Sequence, residues 1–195
     1  MWTLHRTTAL LFFTGALYSS TALATQHSYQ IDSASASGKL SWLLFNVAHS
    51  GADFAEVSGN IVLNPEDSTD DKITVHIPVG SIDSHNALLN KQLKSESFFD
   101  QQNYPEALFE SQRVVKLTGD HYQIYGSLKI KGIVRQVMLN ATLDQGNPAK
   151  MLASHQHIGF TASTSIHRSW YAMTQYRPMV SDVIDIAIAA QATER

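Results

Sequence analysis

The chain of 195 residues contains no cysteine. It therefore forms no disulfide, offers no cysteine nucleophile, and cannot carry the bacterial lipoprotein anchor, which is attached to a cysteine. Charge is also scarce: 16% of the residues are charged, the formal net charge is −3, and lysines and arginines do not cluster. Binding of nucleic acids requires a concentrated basic surface, so the composition argues against that class of function.

Long apolar runs are missing as well. The apolar stretch at residues 9–18 is well short of the ~20 residues that a membrane span requires, which argues against a membrane anchor. It follows Arg6 and precedes Ala22-Leu23-Ala24, the order of basic start, apolar centre and cleavage site in secretory signal peptides. We therefore expect residues 1–24 to be a cleaved signal peptide. Residues 25–195 then form one domain without a transmembrane segment, in the periplasm or outside the cell.

Alternating apolar and polar residues dominate the rest of the chain. Ile73, Val75 and Ile77 alternate with more polar residues, the pattern of a half-buried β-strand. Similar or weaker patterns predict further strands at residues 28–32, 39–48, 54–63, 107–116, 122–130, 137–143, 158–166 and 184–190. Lys131-Gly132 predicts a tight turn between two strong strands. Only residues 86–97, with leucines at three-to-four spacing, predict a helix.

Roughly eight to ten short strands with one helical insertion are typical of a β-sandwich or a closed β-barrel. Closure removes exposed strand edges, and a barrel of about eight strands can hold a small apolar ligand. The chain shows no internal repeat and no composition shift that would mark a domain boundary.

Several segments in order carry a resemblance to one family. They are Tyr29-Gln30-Ile31-Asp32, residues 57–67 (VSGNIVLNPED), residues 81–84 with 93–100, residues 125–133 (YGSLKIKGI), and residues 158–162 with 166–169. Together they resemble the YceI-like family of bacterial lipocalin-like proteins, known for binding polyisoprenoids. The resemblance implies an all-β, antiparallel lipocalin-like barrel of about eight strands with one short helical insertion. It also implies a lumen that takes a polyisoprenoid, a quinone or another long-chain amphiphilic lipid.

The sequence departs from the family pattern at its polar hallmarks. Members carry Arg-Asp-x-His-Leu before the double phenylalanine, whereas residues 89–93 here read LNKQL. A histidine of an early strand is replaced by Leu44 or Phe45, and Ala52-Asp53 stand where members have an arginine before Phe54. If those side chains contact the head group in relatives, this chain binds a different head group, a neutral lipid, or no ligand.

Large apolar side chains are the candidates for contacting a lipid tail. They are Leu40, Trp42, Leu88, Leu93, Phe98, Phe99, Phe109, Phe160, Ile166, Trp170 and Tyr171. The alternative is that they fill a solid barrel, since small barrels are often packed by their own side chains. Phe98-Phe99 in particular either plugs one end or forms the floor of a channel. The strand around Trp42 is apolar on both faces. One face could therefore line the lumen while the other contacts a partner protein or a second copy of the chain.

The head group is expected near the helix and its adjoining loops. Arg168 either holds a phosphate there or pairs with Asp182 or Asp185 on the last strand. Lys91 and Lys94 either steer an anionic head group or are simply exposed on the helix.

Neither a metal site nor a catalytic motif is evident. His155 and His157 lie one residue apart and could chelate a metal with a third ligand, or simply face solvent at the start of a strand. The sequence contains no G-x-S-x-G, H-E-x-x-H or phosphate-binding glycine motif. We therefore predict a lipid-binding protein, not an enzyme, without a cofactor. The rival hypotheses are a stress-related interaction module with a packed barrel, and a hydrolase or metal-dependent enzyme.

Overall fold

The structure, a computed structural model, describes residues 26–64, 70–143 and 157–195. The expected signal peptide (residues 1–24), residues 65–67 of the segment that resembles the family, and His155 lie outside these ranges. In the described part of the chain, no helix is long and apolar enough to cross a membrane. The strands are β1 His27–Ile31, β2 Ser37–Leu44, β3 Ala48–Phe54, β4 Ser58–Leu63, β5 Lys72–Pro78, β6 Glu106–Lys116, β7 His121–Ile130, β8 Ile133–Leu143, β9 His157–His167 and β10 Val183–Glu194, and the α-helix is α1 Ala87–Leu93.

Eight of these strands close into an antiparallel barrel. They pair in the order β1-β4-β5-β6-β7-β8-β9-β10, and β10 returns to β1 with Tyr29 opposite Glu194 and Ile31 opposite Ala192. β10 is long enough to pair with β9 along one edge and with β1 and β2 in succession along the other. Because every barrel strand has a partner on each side, closure removes the sheet edges. The predicted lipocalin-like barrel is confirmed.

β2 and β3 form a hairpin that extends the sheet beside β10. Their turn contains Phe45 and Asn46 at positive φ of 50° and 59°, with a hydrogen bond from the Val47 amide to the Leu44 carbonyl. The prediction of one strand over residues 39–48 is therefore wrong at this point. The apolar run continues into the turn, and Phe45 stands where tight turns usually have Gly, Asn or Asp.

A second predicted strand, residues 54–63, is also divided in the structure. Residues 55–57 separate β3 from β4, and Glu56 takes a positive φ of 57° there. The tight turn at Lys131-Gly132 is confirmed, since both residues have positive φ (52° and 73°) between paired Ile130 and Ile133. Such a two-residue turn matches the twist of the strands it joins.

The helix α1 covers one end of the barrel between β5 and β6. The Asn86 side-chain oxygen accepts hydrogen bonds from the amides of Leu88 and Leu89, so the helix begins at Ala87. It ends at Leu93 because the chain turns back there, with the Phe99 amide donating to the Leu93 carbonyl at 3.0 Å. The predicted helix therefore exists but is shorter than residues 86–97.

The two ends of the barrel are distinguished by the elements that lie there. We call the helix end the one that carries α1, the β2–β3 turn and the segment 168–182. The far end is the one where β4 meets β5, β6 meets β7, and β8 meets β9. Between them, alternate residues of each strand point inward and form one apolar core, illustrated on β7 by buried Ile124, Leu128 and Ile130.

Candidate ligand-binding cavity

The largest cavity inside the barrel lies at its far end and has a volume of about 480 Å³. Its walls are inward residues of β1 and β4 to β10, mostly aliphatic. They include Ile31, Ile61, Leu63, Ile73, Val75, Val114, Ile124, Leu139, Ala141, Leu143, Ile158, Phe160, Ala162 and Ile188. A volume of this size is within the range of small-molecule sites in proteins.

A small polar group borders the far-end cavity. It consists of Asn64, Asp71, Lys116, Tyr122 and Thr142. The Asn64 amide donates to the Asp71 carboxylate at 2.7 Å, and the Lys116 ammonium lies 6.0 Å from the centre of the Tyr122 ring. Burial raises the pKa of Tyr122, and the charges of Asp120 and Asp71 raise it further. The Tyr122 hydroxyl is therefore neutral at physiological pH and can act as a hydrogen-bond donor.

A second cavity, of about 180 Å³, lies at the helix end. Leu89, Gln92 and Leu93 of α1 face Trp42 and Leu44 of β2 across it. A third cavity of about 50 Å³ adjoins it in the middle of the barrel. The two have in common the lining residues Leu40, Phe99, Met173 and Ile184.

Phe109 separates these cavities from the far-end cavity. On β6, Ala107 lines the middle cavity and Val114 lines the far-end cavity, and Phe109 is buried between them. Its ring packs on Gly126 so closely that a Cβ atom there would lie 2.7 Å from the Phe109 Cζ atom. Within the described residues, the far-end and middle cavities have no lining residue in common. The lumen is thus two chambers with an aromatic ring between them.

The structure brings most of the predicted tail residues to these chambers. Leu40, Trp42, Leu93, Phe98 and Phe99 line the helix-end cavity, Ile166 lines the middle cavity, and Phe160 lines the far-end cavity. Phe109 and Tyr171 are buried in the core. That these residues contact a ligand stays a prediction.

Two of the predicted tail residues lie on the surface instead. Leu88 is exposed at the start of α1, whereas Leu89 and Leu93 line the helix-end cavity. Trp170 is also exposed, with its ring centre 4.5 Å from that of His167. Placing these two side chains in the lumen was wrong.

Arg168 is almost fully buried, at 2% exposure. Its guanidinium donates to the backbone carbonyls of Met173, Gln175, Val180 and Ser181, not to Asp182 or Asp185. These bonds engage four of the five N–H groups of an arginine. Arg168 therefore holds the segment after β9 in place, and its predicted head-group role, still a prediction, would rely on the one remaining N–H.

Asp182 anchors the same segment from the start of β10. It accepts hydrogen bonds from the amide and hydroxyl of Ser169, at 3.0 Å and 2.7 Å, and lies 3.5 Å from the Arg177 guanidinium. Burial would raise the pKa of Asp182, but the hydrogen bonds from Ser169 and the charge of Arg177 hold it below the ordinary value. The carboxylate thus stays ionised and keeps the loop at the helix end ordered.

Two buried tyrosine hydroxyls make no hydrogen bond within the described part of the chain. They belong to Tyr29 and Tyr171. Burial raises the pKa of Tyr171 to about 12, although the charge of Arg135 acts in the opposite direction. Burial and the charge of Glu194 raise the pKa of Tyr29. Both hydroxyls therefore remain neutral, as buried groups must without an ionic partner.

Several described histidines contact neighbouring carboxylates or hydroxyls. His85 Nε2 lies 2.8 Å from an Asp53 oxygen and its Nδ1 lies 3.6 Å from Asp83, while His157 Nδ1 lies 3.0 Å from the Thr193 hydroxyl. In residues 26–64, 70–143 and 157–195, no group of three or more His, Asp or Glu side chains is placed to hold a metal ion. The metal hypothesis also involves His155, which lies outside these ranges.

The fold and its interior define a lipocalin-like barrel with room for an apolar molecule. Residues 29–192 match the family model described as the YceI-like domain. A UPF0312 protein from Photorhabdus laumondii is 31% identical over 134 residues, which cover 66% of this chain and 68% of that protein. The chain therefore belongs to the YceI-like family, as its motifs indicate.

Solved structures agree with this fold. BcnA from Burkholderia cenocepacia has a TM-score of 0.72 at 23% identity, over 84% of this chain and 99% of BcnA. A polyisoprenoid binding domain from Saccharophagus degradans has a TM-score of 0.63 at 12% identity, over 86% of this chain and 98% of that domain. At these identities the likeness supports the architecture of the barrel.

Apart from Phe160, the residues that line the far-end cavity were not identified as candidate site residues from the sequence. Tyr122, Ile124, Leu139 and Ala141 were correctly assigned to the apolar face of strands, but not to a cavity wall. The sequence feature that could have indicated this cavity is the presence of small residues on the apolar faces of neighbouring strands, such as Ala141 opposite Ala162. Small side chains that face each other inside a barrel leave space between them.

Proposed function

We propose that this protein binds a long-chain amphiphilic lipid, such as a polyisoprenoid or an isoprenoid quinone, inside the barrel. The observation that carries the proposal is the far-end cavity of about 480 Å³ with aliphatic walls. A cavity of about 150 Å³ lined by similar side chains holds a benzene molecule, so this one corresponds to roughly twenty carbon atoms. At about 0.8 kcal/mol per buried CH₂, half that number contributes about 8 kcal/mol before the cost of immobilisation.

The tail is proposed to lie toward the far end and the head group toward the helix end. Among the described residues that line the helix-end cavity, Arg168 is the one charged side chain, and four carbonyls already occupy it. Gln92 lies where relatives have a histidine, and Leu44 also lines this cavity. These substitutions favour an uncharged head group, such as an alcohol, an ester or a quinone, over a pyrophosphate.

The likeness to the Saccharophagus degradans polyisoprenoid binding domain supports an isoprenoid as the tail. The motif of residues 1–24 supports export, so we propose that the protein carries or sequesters its lipid in the periplasm or outside the cell. The proposal can be checked by fractionating cells and determining the N-terminal residue, which should be Thr25.

A packed barrel with a functional surface is the second candidate. The ring of Phe109 on Gly126 and the small middle cavity of about 50 Å³ favour it, because the lumen is not one open channel. In that case the protein would act through a partner, in a stress response or otherwise, without a lipid ligand.

Mass spectrometry of the exported protein separates the two candidates. The protein is purified from the exported fraction, and bound species are identified under native and then denaturing conditions. A stoichiometric long-chain adduct with an uncharged head group is the expected result. A clean apo mass, together with failure to bind added polyprenyl alcohol after delipidation, would refute lipid carriage and leave the packed barrel as the better account.

A further inference from the structure

Five large apolar side chains are exposed together at the helix end. Phe45 and Val47 of the β2–β3 turn are 66% and 79% exposed, Leu88 of α1 is 79% exposed, and Tyr176 and Met179 are 43% and 46% exposed. We call this set the apolar crown. Single exposed apolar residues are common on proteins, but clusters of them mark interaction sites.

Contacts hold the β2–β3 turn and the segment 168–182 near one another. The Phe45 amide donates to the Met179 carbonyl at 2.7 Å, and Leu44 forms a β-bridge with Val180. The Tyr176 ring stacks on the buried Phe98, with 6.1 Å between ring centres. Each element is therefore fixed in the fold while its apolar tip faces outward.

The apolar crown surrounds the helix-end cavity. Tyr176 itself lines that cavity. Phe45, Leu88 and Met179 are each the sequence neighbour of a lining residue, namely Leu44, Leu89 and Val180. The same cavity is thus lined by apolar side chains inside and rimmed by apolar side chains outside.

The charges around the apolar crown are balanced. Residues 42–50, 87–94 and 172–180 contain Lys91, Lys94 and Arg177, and Asp83, Glu96 and Asp182 flank them. The Arg177 guanidinium lies 3.5 Å from Asp182, and Lys94 donates to the Gly80 carbonyl at 2.7 Å. The crown therefore presents apolar side chains without an excess of charge, and apolar area that becomes buried is what holds a protein at the interface of a bilayer.

We propose that the apolar crown docks the protein on the surface of a lipid bilayer. The exposed apolar area of the crown argues against a second copy of the chain as its binding partner. Side chains of about 150–200 Å² at these exposures present on the order of 500 Å², less than the ~800 Å² per partner of a stable dimer. The docking goes beyond lipid binding in the lumen, because it requires no ligand and is measured separately.

Vesicle sedimentation tests the proposal on the purified exported protein, with the N-terminal mass checked so that all variants share one N terminus. The wild type is expected to sediment with vesicles of phosphatidylethanolamine and phosphatidylglycerol, at high salt as well as at low salt, because apolar burial is not screened. The double variant Phe45→Ser/Val47→Ser should bind at least about tenfold more weakly. Leu88→Gln, on a different element and with a good helix former, should also weaken binding.

The matched control is Leu117→Ser, which removes an exposed leucine next to the β6–β7 turn at the far end and should leave vesicle binding unchanged. Circular dichroism confirms that each variant is folded. Wild-type protein that ignores these vesicles, or crown variants that bind as well as the wild type, would overturn the proposal. So would a dimer in solution, without vesicles, that the crown variants abolish.

Discussion

Filling the far-end cavity should stabilise the protein and weaken lipid binding at the same time. Ala141 lines this cavity and lies opposite Tyr122 on β7 and Ala162 on β9. Ala141→Leu places roughly 80 Å³ of aliphatic side chain into space that is otherwise unfilled. At ~24 cal/mol per Å³ of cavity removed, the free energy of unfolding of delipidated protein should rise by about 2 kcal/mol.

The same leucine takes the place of about three carbon atoms of ligand. At about 0.8 kcal/mol each, the lipid should lose about 2 kcal/mol of binding free energy, or roughly thirtyfold in affinity. Stability is measured by urea unfolding of delipidated protein, where the midpoint should rise without a change in m-value. Affinity is measured by titration of the delipidated protein with a polyprenyl alcohol.

The matched control is Ala187→Leu on β10, where the side chain is on the exposed outer face of the barrel. Its effect on stability should be within about 0.5 kcal/mol, and lipid affinity should not change. A loss of 1–3 kcal/mol in Ala141→Leu, typical of overpacking, would show that the cavity is not available. Raised stability with unchanged affinity would instead show that the ligand does not use the far-end chamber, and would refute the proposed tail position.

The other predictions concern Arg168, Tyr171 and His85. Arg168→Gln leaves several buried carbonyls without a donor, so urea unfolding should show a loss of about 3 kcal/mol or more; a loss below about 1 kcal/mol would contradict its structural role. Tyr171→Phe removes a buried hydroxyl without a partner, and the same assay should show unchanged stability or a gain of about 1 kcal/mol, whereas a clear loss would reveal a partner for that hydroxyl. The pKa of His85 is raised by its hydrogen bond with Asp53 and by the charge of Asp83. The stabilisation that these contacts give the loop is therefore fully present below pH ~6.5, the ordinary pKa of histidine, and is lost as the pH rises through the raised pKa. Titration of the His85 ring by NMR should give a midpoint above the ordinary value that Asp53→Asn lowers; an equal midpoint in both proteins would show that the contact is absent in solution.

The barrel could be predicted from the sequence because most strands carry one apolar face, and that pattern is local. β7 illustrates this, since Ile124, Leu128 and Ile130 point inward as their spacing indicates. The β2–β3 turn could not be predicted in this way. Phe45 adopts a positive φ within an apolar run, and the energy that permits this comes from tertiary contacts such as its hydrogen bond to Met179, which leave no local signal.

The candidate site was predictable only in part for a related reason. A strand pattern shows which residues point inward but not whether they meet or leave space, because that depends on the residues of other strands. Phe109 and Phe160 are both inward aromatics, yet one packs on Gly126 and the other lines the far-end cavity. From the sequence, Arg168 was expected to hold a head group or to pair with Asp182 or Asp185. The four carbonyls that it contacts instead lie 5 to 13 residues away, in an irregular segment that carries no pattern.

The two chambers place a physical condition on any lipid that enters from the helix end. The helix-end and middle cavities together offer about half the volume of the far-end cavity, so a tail of any length must pass Phe109 to be fully enclosed. The Phe109 ring packs on Gly126, an inward position without a side chain, so the ring must leave Gly126 if it moves aside. A shift in strand register between Ser111 and Arg113, just beyond Phe109 on β6, already interrupts the regular pairing there, and such bulges bend a strand locally. The ring between the two chambers therefore lies two residues from this irregularity, and we expect uptake of the proposed lipid to require a movement of that part of β6.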